Sequence, residues 1–177
     1  TFIKAIVNEF EYKGEIKLGH NVQVGYFAQN QAEYLDGEIT LLQTMEDAAT
    51  DTNRSKVRDM LGSFLFRGDD VEKKVKVLSG GERNRLALCK LLLQPINVLV
   101  MDEPTNHLDI ESILWLEGFL AKSRFAVVVV THDRLFLQRV TNRILELDRR
   151  NPQGLLSVQG EYSSYPEKKQ ALLDSQQ

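Results

Sequence analysis

Two adjacent carboxylates, Asp102 and Glu103, follow a short apolar run at residues 98–101. A carboxylate held at the end of a buried strand suits a hard cation such as Mg²⁺, which binds oxygen ligands and keeps several of its waters. The second carboxylate of such a pair can orient or deprotonate a water that attacks a phosphate. The alternative is a pair that caps the following helix, and a dipeptide alone does not decide between the two.

His132 and Gln29 are further candidates, because each follows a segment with the pattern of a strand. The imidazole of His132 comes after the apolar run at residues 125–130, where it could reach the same crevice and contact a terminal phosphate. The amide of Gln29, after residues 23–28, could supply one Mg²⁺ ligand and one contact to a water. The alternatives are a capping or core role for the histidine and a surface-loop role for the glutamine.

A third group of candidates is the run Ser79, Gly80, Gly81 and Glu82, which directly precedes an apolar helical pattern. Unobstructed backbone amides at a helix N-terminus bind anions through their oriented N–H groups and through the helix dipole. The alternative is a serine N-cap that forms a capping box with Glu82 and needs no ligand. Taken alone, the run favours the capping alternative.

The elements that must position these residues follow from hydrophobic periodicity. Apolar runs at residues 98–101 and 125–130 alternate with helical patterns, which predicts an α/β fold with a parallel sheet covered on both faces. Open α/β sheets bind ligands at the carboxyl ends of their strands, where the polar candidates stand. The other predicted elements are an N-terminal helix, a hairpin of residues 15–18 and 23–28 with Val22, Val24 and Tyr26 alternating, a helical subdomain at 38–77, helices at 82–93, 110–121 and 134–140, strands at 143–147 and 155–158, and a charged tail from Ser163.

The composition is that of an ordinary globular domain. The 177 residues are 42% hydrophobic and carry a net charge of −3, which lends no support to a strongly basic nucleic-acid-binding domain, although a local patch can suffice. No apolar run approaches the ~20 residues of a membrane-spanning helix. The single cysteine, Cys89, excludes an internal disulfide. These features predict a cytoplasmic protein without stable membrane insertion.

Taken in order, these segments resemble an ATP-binding cassette (ABC). The resemblance rests on a Q-loop at residues 26–29, a signature sequence at 78–82, a Walker B strand at 98–102 followed by Glu103, a D-loop at 106–109 and an H-loop at His132. It covers residues 1–160 and implies the three-layer α/β fold of a P-loop NTPase with a small helical subdomain. It also implies that ATP and Mg²⁺ are the cofactors.

The resemblance gives each candidate a role. Asp102 and Gln29 are implied as Mg²⁺ ligands, and Glu103 as the group that polarises the attacking water. His132 and Gln29 are implied to sense the terminal phosphate. A second cassette, in the same chain or in a partner, would complete each site, because ATP held by one cassette is contacted by residues of the opposing one. The residues implied in that contact are Ser79, Gly80, Gly81, Glu82 and Asp109.

The clearest departure from the family is that no G-x-x-x-x-G-K-[ST] sequence occurs among these residues. The backbone amides of this Walker A loop cradle the phosphates, and its lysine contacts the terminal ones. Thr1 and the three residues after it resemble the segment directly after Gly-Lys-Ser in that loop, so Thr1 is assigned to the nucleotide site. We therefore expect a cassette truncated at its N-terminus and inactive by itself.

Two details resemble the ABC-F proteins, which are tandem-cassette ATPases that act on ribosomes. Glu82 stands where transporters usually have glutamine, and residues 103–109 read Glu-Pro-Thr-Asn-His-Leu-Asp where transporters usually carry a Ser-Ala version. Residues 161–177 resemble the start of the helical linker after an ABC-F cassette. Residues 15–108 look more like second cassettes and residues 109–177 more like first cassettes of another branch, so a composite origin is one interpretation.

The ABC-F resemblance implies the ribosome and its RNA as partners. Two alternatives remain open from the sequence. The first is the ATPase subunit of a membrane transporter, and the second is a degenerate cassette that serves only as a binding module.

Overall fold

The computed structural model describes residues 2–9, 11–106 and 108–174, in which helices and strands alternate as expected. The helices are α1 (Phe2–Ile6), α2 (Leu41–Ala48), α3 (Val57–Ser63), α4 (Gly80–Leu91), α5 (Ile110–Lys122), α6 (Arg134–Val140) and α7 (Tyr165–Asp174). The strands are β1 (Val24–Phe27), β2 (Val98–Asp102), β3 (Ala126–Val130), β4 (Arg143–Leu147) and β5 (Leu155–Gln159). Short 3₁₀ turns join several of these elements.

Strands β1, β2 and β3 form a parallel three-stranded sheet in that order. The central strand β2 is apolar up to its last residue and buries Leu99, Val100 and Met101 almost completely. Each such side chain contributes roughly 1.5–3 kcal/mol to folding through its burial. The predicted α/β fold with a parallel sheet is confirmed, and the register places the carboxyl ends of β2 and β3 side by side.

The prediction that both faces of every strand are covered is wrong for β3. Its residues alternate between exposed and half-buried, and Val128 and Val130 remain 38% and 45% exposed. The strand lies at an edge of the three-stranded sheet, and the face that carries these two valines is its more exposed face. A fully apolar run such as 126–130 indicates that the strand is buried, but it does not show which element covers each face.

The predicted N-terminal hairpin is also wrong. Residues 15–18 form no strand, and β1 pairs in parallel with β2 over residues 98–101. The buried positions of β1 are Gly25 and Phe27, so the expected alternation of Val22, Val24 and Tyr26 marks the less buried face. A Cβ on Gly25 would lie 2.6 Å from Ile96 Cδ1, so a larger residue there would have to displace the Ile96 side chain.

The helical segment predicted at residues 38–77 is present as α2, α3 and intervening 3₁₀ turns. Thr40 caps α2 by accepting a hydrogen bond from Gln43 N at 3.1 Å. Leu41 and Met45 of α2 and Leu61 of α3 are fully buried in the same core as the sheet. Because the apolar core is continuous, the helical segment packs directly on the elements that carry the candidate residues.

The C-terminal part contains an antiparallel pair, β4 and β5, followed by α7 in the segment predicted as a charged tail. Lys169 of α7 donates to Glu146 Oε1 on β4 at 2.7 Å, and this hydrogen bond is the main reason that the pKa of Glu146 is lowered. The contact between Lys169 and Glu146 thus links α7 to the β4–β5 sheet. Within the described residues, none of the helices is both long and apolar enough to span a bilayer.

Candidate functional site

Asp102 is the last residue of β2, and its carboxylate lies beside a cleft of about 640 Å³. Tyr26 on β1 donates its phenol hydrogen to Asp102 Oδ2 at 3.2 Å. Burial and the nearby charge of Asp102 raise the pKa of Tyr26 well above its usual value, so the phenol stays protonated. The tyrosine therefore acts as a hydrogen-bond donor to the carboxylate.

Gln29 lines the same cleft as Asp102, in the turn after β1, and its side chain is exposed. Lys4 and Glu9, from the N-terminal segment, line it as well. The structure thus brings together Asp102 and Gln29, the two residues predicted to bind Mg²⁺. Thr1, also assigned to the nucleotide site from the sequence, lies outside the described residues.

The cleft suits a cation that arrives with its own ligands. Among the described residues, no group of three or more His, Cys, Asp or Glu side chains is arranged to hold a metal ion. Mg²⁺ in nucleotide sites is bound by one or two carboxylates together with waters and phosphate oxygens. Asp102 at the end of β2, in a polar cleft that Glu9 and Glu33 also line, fits that mode of binding and not an all-protein metal cage.

Glu103 follows directly after β2 and has a left-handed backbone, with φ of 48°. For a residue with a side chain, this conformation costs roughly 1–2 kcal/mol. Its amide donates to Val130 O at the end of β3 at 2.7 Å, and its side chain is only 13% exposed. The hydrogen bond between the strand ends holds Glu103 in a backbone state that its own preferences oppose.

His132 and Glu103 are in contact, as the sequence predicts for groups at neighbouring strand ends. The His132 amide donates to Glu103 Oε2 at 3.2 Å, and His132 Nε2 lies 3.3 Å from Glu103 Oε1. The imidazole is 99% exposed, whereas the carboxylate beneath it is nearly covered. This pair combines a sheltered potential base with a solvent-facing group that can contact a ligand.

The signature residues form the capping box that is the alternative to an anion site. Ser79 Oγ accepts from Glu82 N at 3.2 Å, and Ser79 N donates to Glu82 Oε2 at 2.8 Å. This cap starts α4 at Gly80, two residues earlier than predicted. Ser79 and Gly80 are exposed, so the capping role and a contact to a ligand from outside are compatible.

Gly81 is buried and faces the start of α5. A Cβ at this position would overlap Ser112 Oγ and lie 3.1 Å from Asp109 Oδ2. Asp109 caps α5 by accepting from Ser112 N at 2.7 Å. Hydrogen bonds from the backbone and side chain of Ser112 lower the pKa of Asp109, and the nearby Arg85 guanidinium adds to this effect. The signature loop and the predicted D-loop thus form one packed unit.

The predicted residues therefore fall into three groups in the part of the chain that the structure describes. Asp102 and Gln29 line one cleft, Glu103 contacts His132, and the signature run packs against Asp109. The signature residues do not line the cleft beside Asp102. The resemblance to ABC proteins predicts such a separation, in which the first two groups serve one nucleotide and the signature run serves the nucleotide of the opposing cassette.

The sequence alone did not identify three residues that contact the candidate residues, namely Tyr26, Arg85 and Ser112. It places Tyr26 in the Q-loop without a role, and it singles out neither Arg85 nor Ser112. Arg85 Nη1 donates to Ser112 Oγ at 3.3 Å, and the guanidinium lies over the Phe66 ring at 5.6 Å. Arg85 and Ser112 stand among other polar residues of α4 and α5, so no sequence signal marked them, and the Tyr26 contact depends on strand register.

Comparison with known proteins gives three further findings. The profile of the ABC transporter family matches residues 1–106. ABC transporter F family member 5 of Arabidopsis thaliana is 43% identical over 171 residues, which are 95% of this chain and 24% of that protein. The putative ATP-binding protein YdiF of Bacillus subtilis (strain 168) is 42% identical over 175 residues, which are 98% of this chain and 27% of that protein. The chain thus spans about a quarter of the length of the curated relatives that it matches.

A solved structure has a similar fold. The ATP-binding cassette MJ0796, described as a dimer in a post-hydrolysis state bound to ADP and Pi, superposes with a TM-score of 0.55. The match covers 70% of this chain and 58% of that one, at 23% sequence identity. This likeness confirms the predicted cassette fold.

Proposed function

Because this chain belongs to the ABC transporter family of ATP-binding cassettes, we propose that it is the ATPase cassette of an ABC-F type translation factor. In this proposal the protein binds and hydrolyses MgATP between two cassettes and so controls its association with the ribosome. The observation that carries the proposal is the contact between Glu103 and His132, next to the cleft that holds Asp102.

The residues divide the reaction between them. Asp102, with Gln29, would hold Mg²⁺ and its waters, and Mg²⁺ bound there would supply positive charge for the phosphates. Glu103 orients the attacking water and accepts its proton, and its sheltered position limits competition from bulk solvent. His132 and Gln29 reach toward the terminal phosphate.

The signature unit serves the nucleotide of the other cassette. Ser79 and Gly80 are exposed at the N-terminus of α4, where backbone amides and the helix dipole favour an anion. The solved cassette with the similar fold is described as a dimer bound to ADP and Pi, which supports both a nucleotide ligand and a second cassette. Glu82, Gly81 and Asp109 hold this loop in place.

The phosphate-cradling loop is the part that these residues do not supply. Without a Walker A sequence, residues 1–177 alone are proposed to bind MgATP no better than weakly and to lack turnover. Residues 1–160 are proposed as the cassette domain and residues 161–177 as the start of a linker. The full-length protein carries the activity in this proposal.

The ribosome is proposed as a partner because the chain resembles ABC-F proteins. Two of the relatives that it matches are ABC transporter F family members from Arabidopsis thaliana, at 43% and 41% identity. A cytoplasmic location, without stable membrane insertion, follows from that assignment. The test is cosedimentation of the full-length Glu103→Gln variant with ribosomes, which we expect with ATP and not with ADP. Cosedimentation with a membrane permease and none with ribosomes would favour the ATPase subunit of a transporter.

A further inference from the structure

The contact between Tyr26 and Asp102 links two neighbouring strands at the cleft. Tyr26 is paired with Val100 in the parallel register, and Asp102 lies two residues beyond Val100 on β2. Side chains two residues apart on a strand point to the same face of the sheet. The phenol therefore reaches diagonally across the strands to Asp102 Oδ2, at 3.2 Å.

Simple packing does not account for the hydroxyl of Tyr26. The ring is half-buried beside the buried Phe27, and a phenylalanine at residue 26 would supply the same apolar surface. The hydroxyl adds a hydrogen bond to a carboxylate that is itself half-buried at the mouth of the cleft. A hydrogen bond to a charged acceptor is stronger than one between neutral groups, and it fixes the rotamer of the carboxylate.

We infer that Tyr26 is a positioning residue for the Mg²⁺-binding carboxylate of Asp102, an inference that rests on the proposed function. The hydrogen bond engages Oδ2 and leaves Oδ1 as the oxygen that would bind a hydrated Mg²⁺. Outer partners of this kind orient a metal ligand without contacting the metal, and their loss typically weakens metal affinity roughly 10-fold to 100-fold. Tyr26 thus sets the Mg²⁺ concentration at which the cassette binds ATP productively.

The test compares the full-length protein with its Tyr26→Phe variant. ATP binding is measured by equilibrium dialysis at a series of MgCl₂ concentrations and, separately, in EDTA. For Tyr26→Phe we expect the half-saturating Mg²⁺ concentration to rise about 10-fold, with ATP affinity in EDTA unchanged. A loss of packing alone would lower ATP affinity with and without Mg²⁺, so the metal dependence separates the two roles.

Two further variants complete the design. Tyr162→Phe removes the hydroxyl of another half-buried tyrosine, which stacks on Tyr165 and does not line the cleft, and should leave the Mg²⁺ dependence unchanged. In an Asp102→Asn background, Tyr26→Phe should add no further loss, because its effect acts through Asp102. This double variant distinguishes an effect that acts through Asp102 from one that is independent of it.

Each outcome has a distinct meaning. A parent protein that shows no Mg²⁺-dependent ATP binding would overturn the proposed function, and the inference with it. A parent that binds MgATP together with a folded Tyr26→Phe variant of unchanged Mg²⁺ dependence would overturn the inference alone. An additive loss in the double variant would also overturn it.

Discussion

Ser79 and Glu103 both begin a polar segment after a buried one, yet their backbones differ. Ser79 has φ of −63° and ψ of 166°, the ordinary extended geometry of an N-cap, and its capping box satisfies both partners locally. Glu103 has φ of 48° and depends on Val130 and His132, residues of another strand and the segment after it. The signature unit is thus built by local rules, whereas the carboxylate end of the sheet is held in a costly conformation by tertiary contacts.

This difference implies that the signature unit and the strand ends have different roles. A locally satisfied loop presents its amides in the same way whether or not a partner is present. A strained residue held by neighbouring strands responds when those strands or a ligand change position. Changes at the signature unit should therefore lower folding stability, whereas changes at the strand ends should lower catalysis and can release backbone strain.

The largest expected effect is on turnover. Glu103→Gln keeps the size of the side chain but removes the proton-accepting charge, so ATP hydrolysis by the full-length protein should fall by roughly 10² to 10⁴. Phosphate-release assays measure this rate, with Glu167→Gln, an exposed glutamate outside the cleft, as the matched control. If Glu103→Gln hydrolysed ATP at the rate of the parent protein, Glu103 would not be the catalytic base and the strand ends would not differ from the signature unit in this way.

The next effect concerns the stability of the signature unit. Gly81→Ala places a Cβ against Ser112 Oγ, and such overpacking should lower the free energy of unfolding by roughly 1–3 kcal/mol. Gly118→Ala in α5 is the control, since a Cβ there meets nothing within 4 Å and should stabilise the helix by about 0.5–1 kcal/mol. Urea denaturation of the chain measures both. Equal stabilities for the two variants would show that Gly81 is not tightly packed.

A smaller pair of changes should have opposite signs in the two regions. Ser79→Ala removes the N-cap of α4 and should cost about 1 kcal/mol of stability. Glu103→Gly relieves the left-handed backbone and should raise stability by up to about 1 kcal/mol. Thermal unfolding distinguishes them, with Asp102→Gly in ordinary strand geometry as the control that should destabilise. Destabilisation by Glu103→Gly equal to that control would mean that the backbone of Glu103 is unstrained.

The smallest effect is a pH dependence at the cap of α5. The hydrogen bonds of Ser112 lower the pKa of Asp109 below its ordinary 3.8 in the folded state. The resulting stability is fully present above pH 3.8 and is lost as the pH falls through the lower folded value. The advantage of the parent chain over Asp109→Asn in thermal unfolding should therefore shrink in that acidic window. An advantage that stays constant throughout that window would contradict this assignment.

Local rules explain how much could be predicted. The cap at Ser79, the helices that follow the polar runs and the apolar strand β2 depend on residues close in sequence, and the structure confirms them. The partner of β1 lies in the distant segment 98–101, so alternation alone predicts a false hairpin. The candidate residues could be named from their motifs, whereas the strain at Glu103 and the phenol on Asp102 follow from register between strands.

The most direct test of the central claim is the identity of the nucleotide retained by the full-length Glu103→Gln protein. The variant is incubated with MgATP, passed through a desalting column, and its bound nucleotide is separated by chromatography, with Asp102→Asn treated in parallel. If Glu103 accepts the proton of the attacking water and Asp102 serves the metal, Glu103→Gln should retain uncleaved ATP in a closed dimer of cassettes, and Asp102→Asn should retain little nucleotide. Recovery of ADP from Glu103→Gln, or equal loss of nucleotide from both folded variants, would contradict the account.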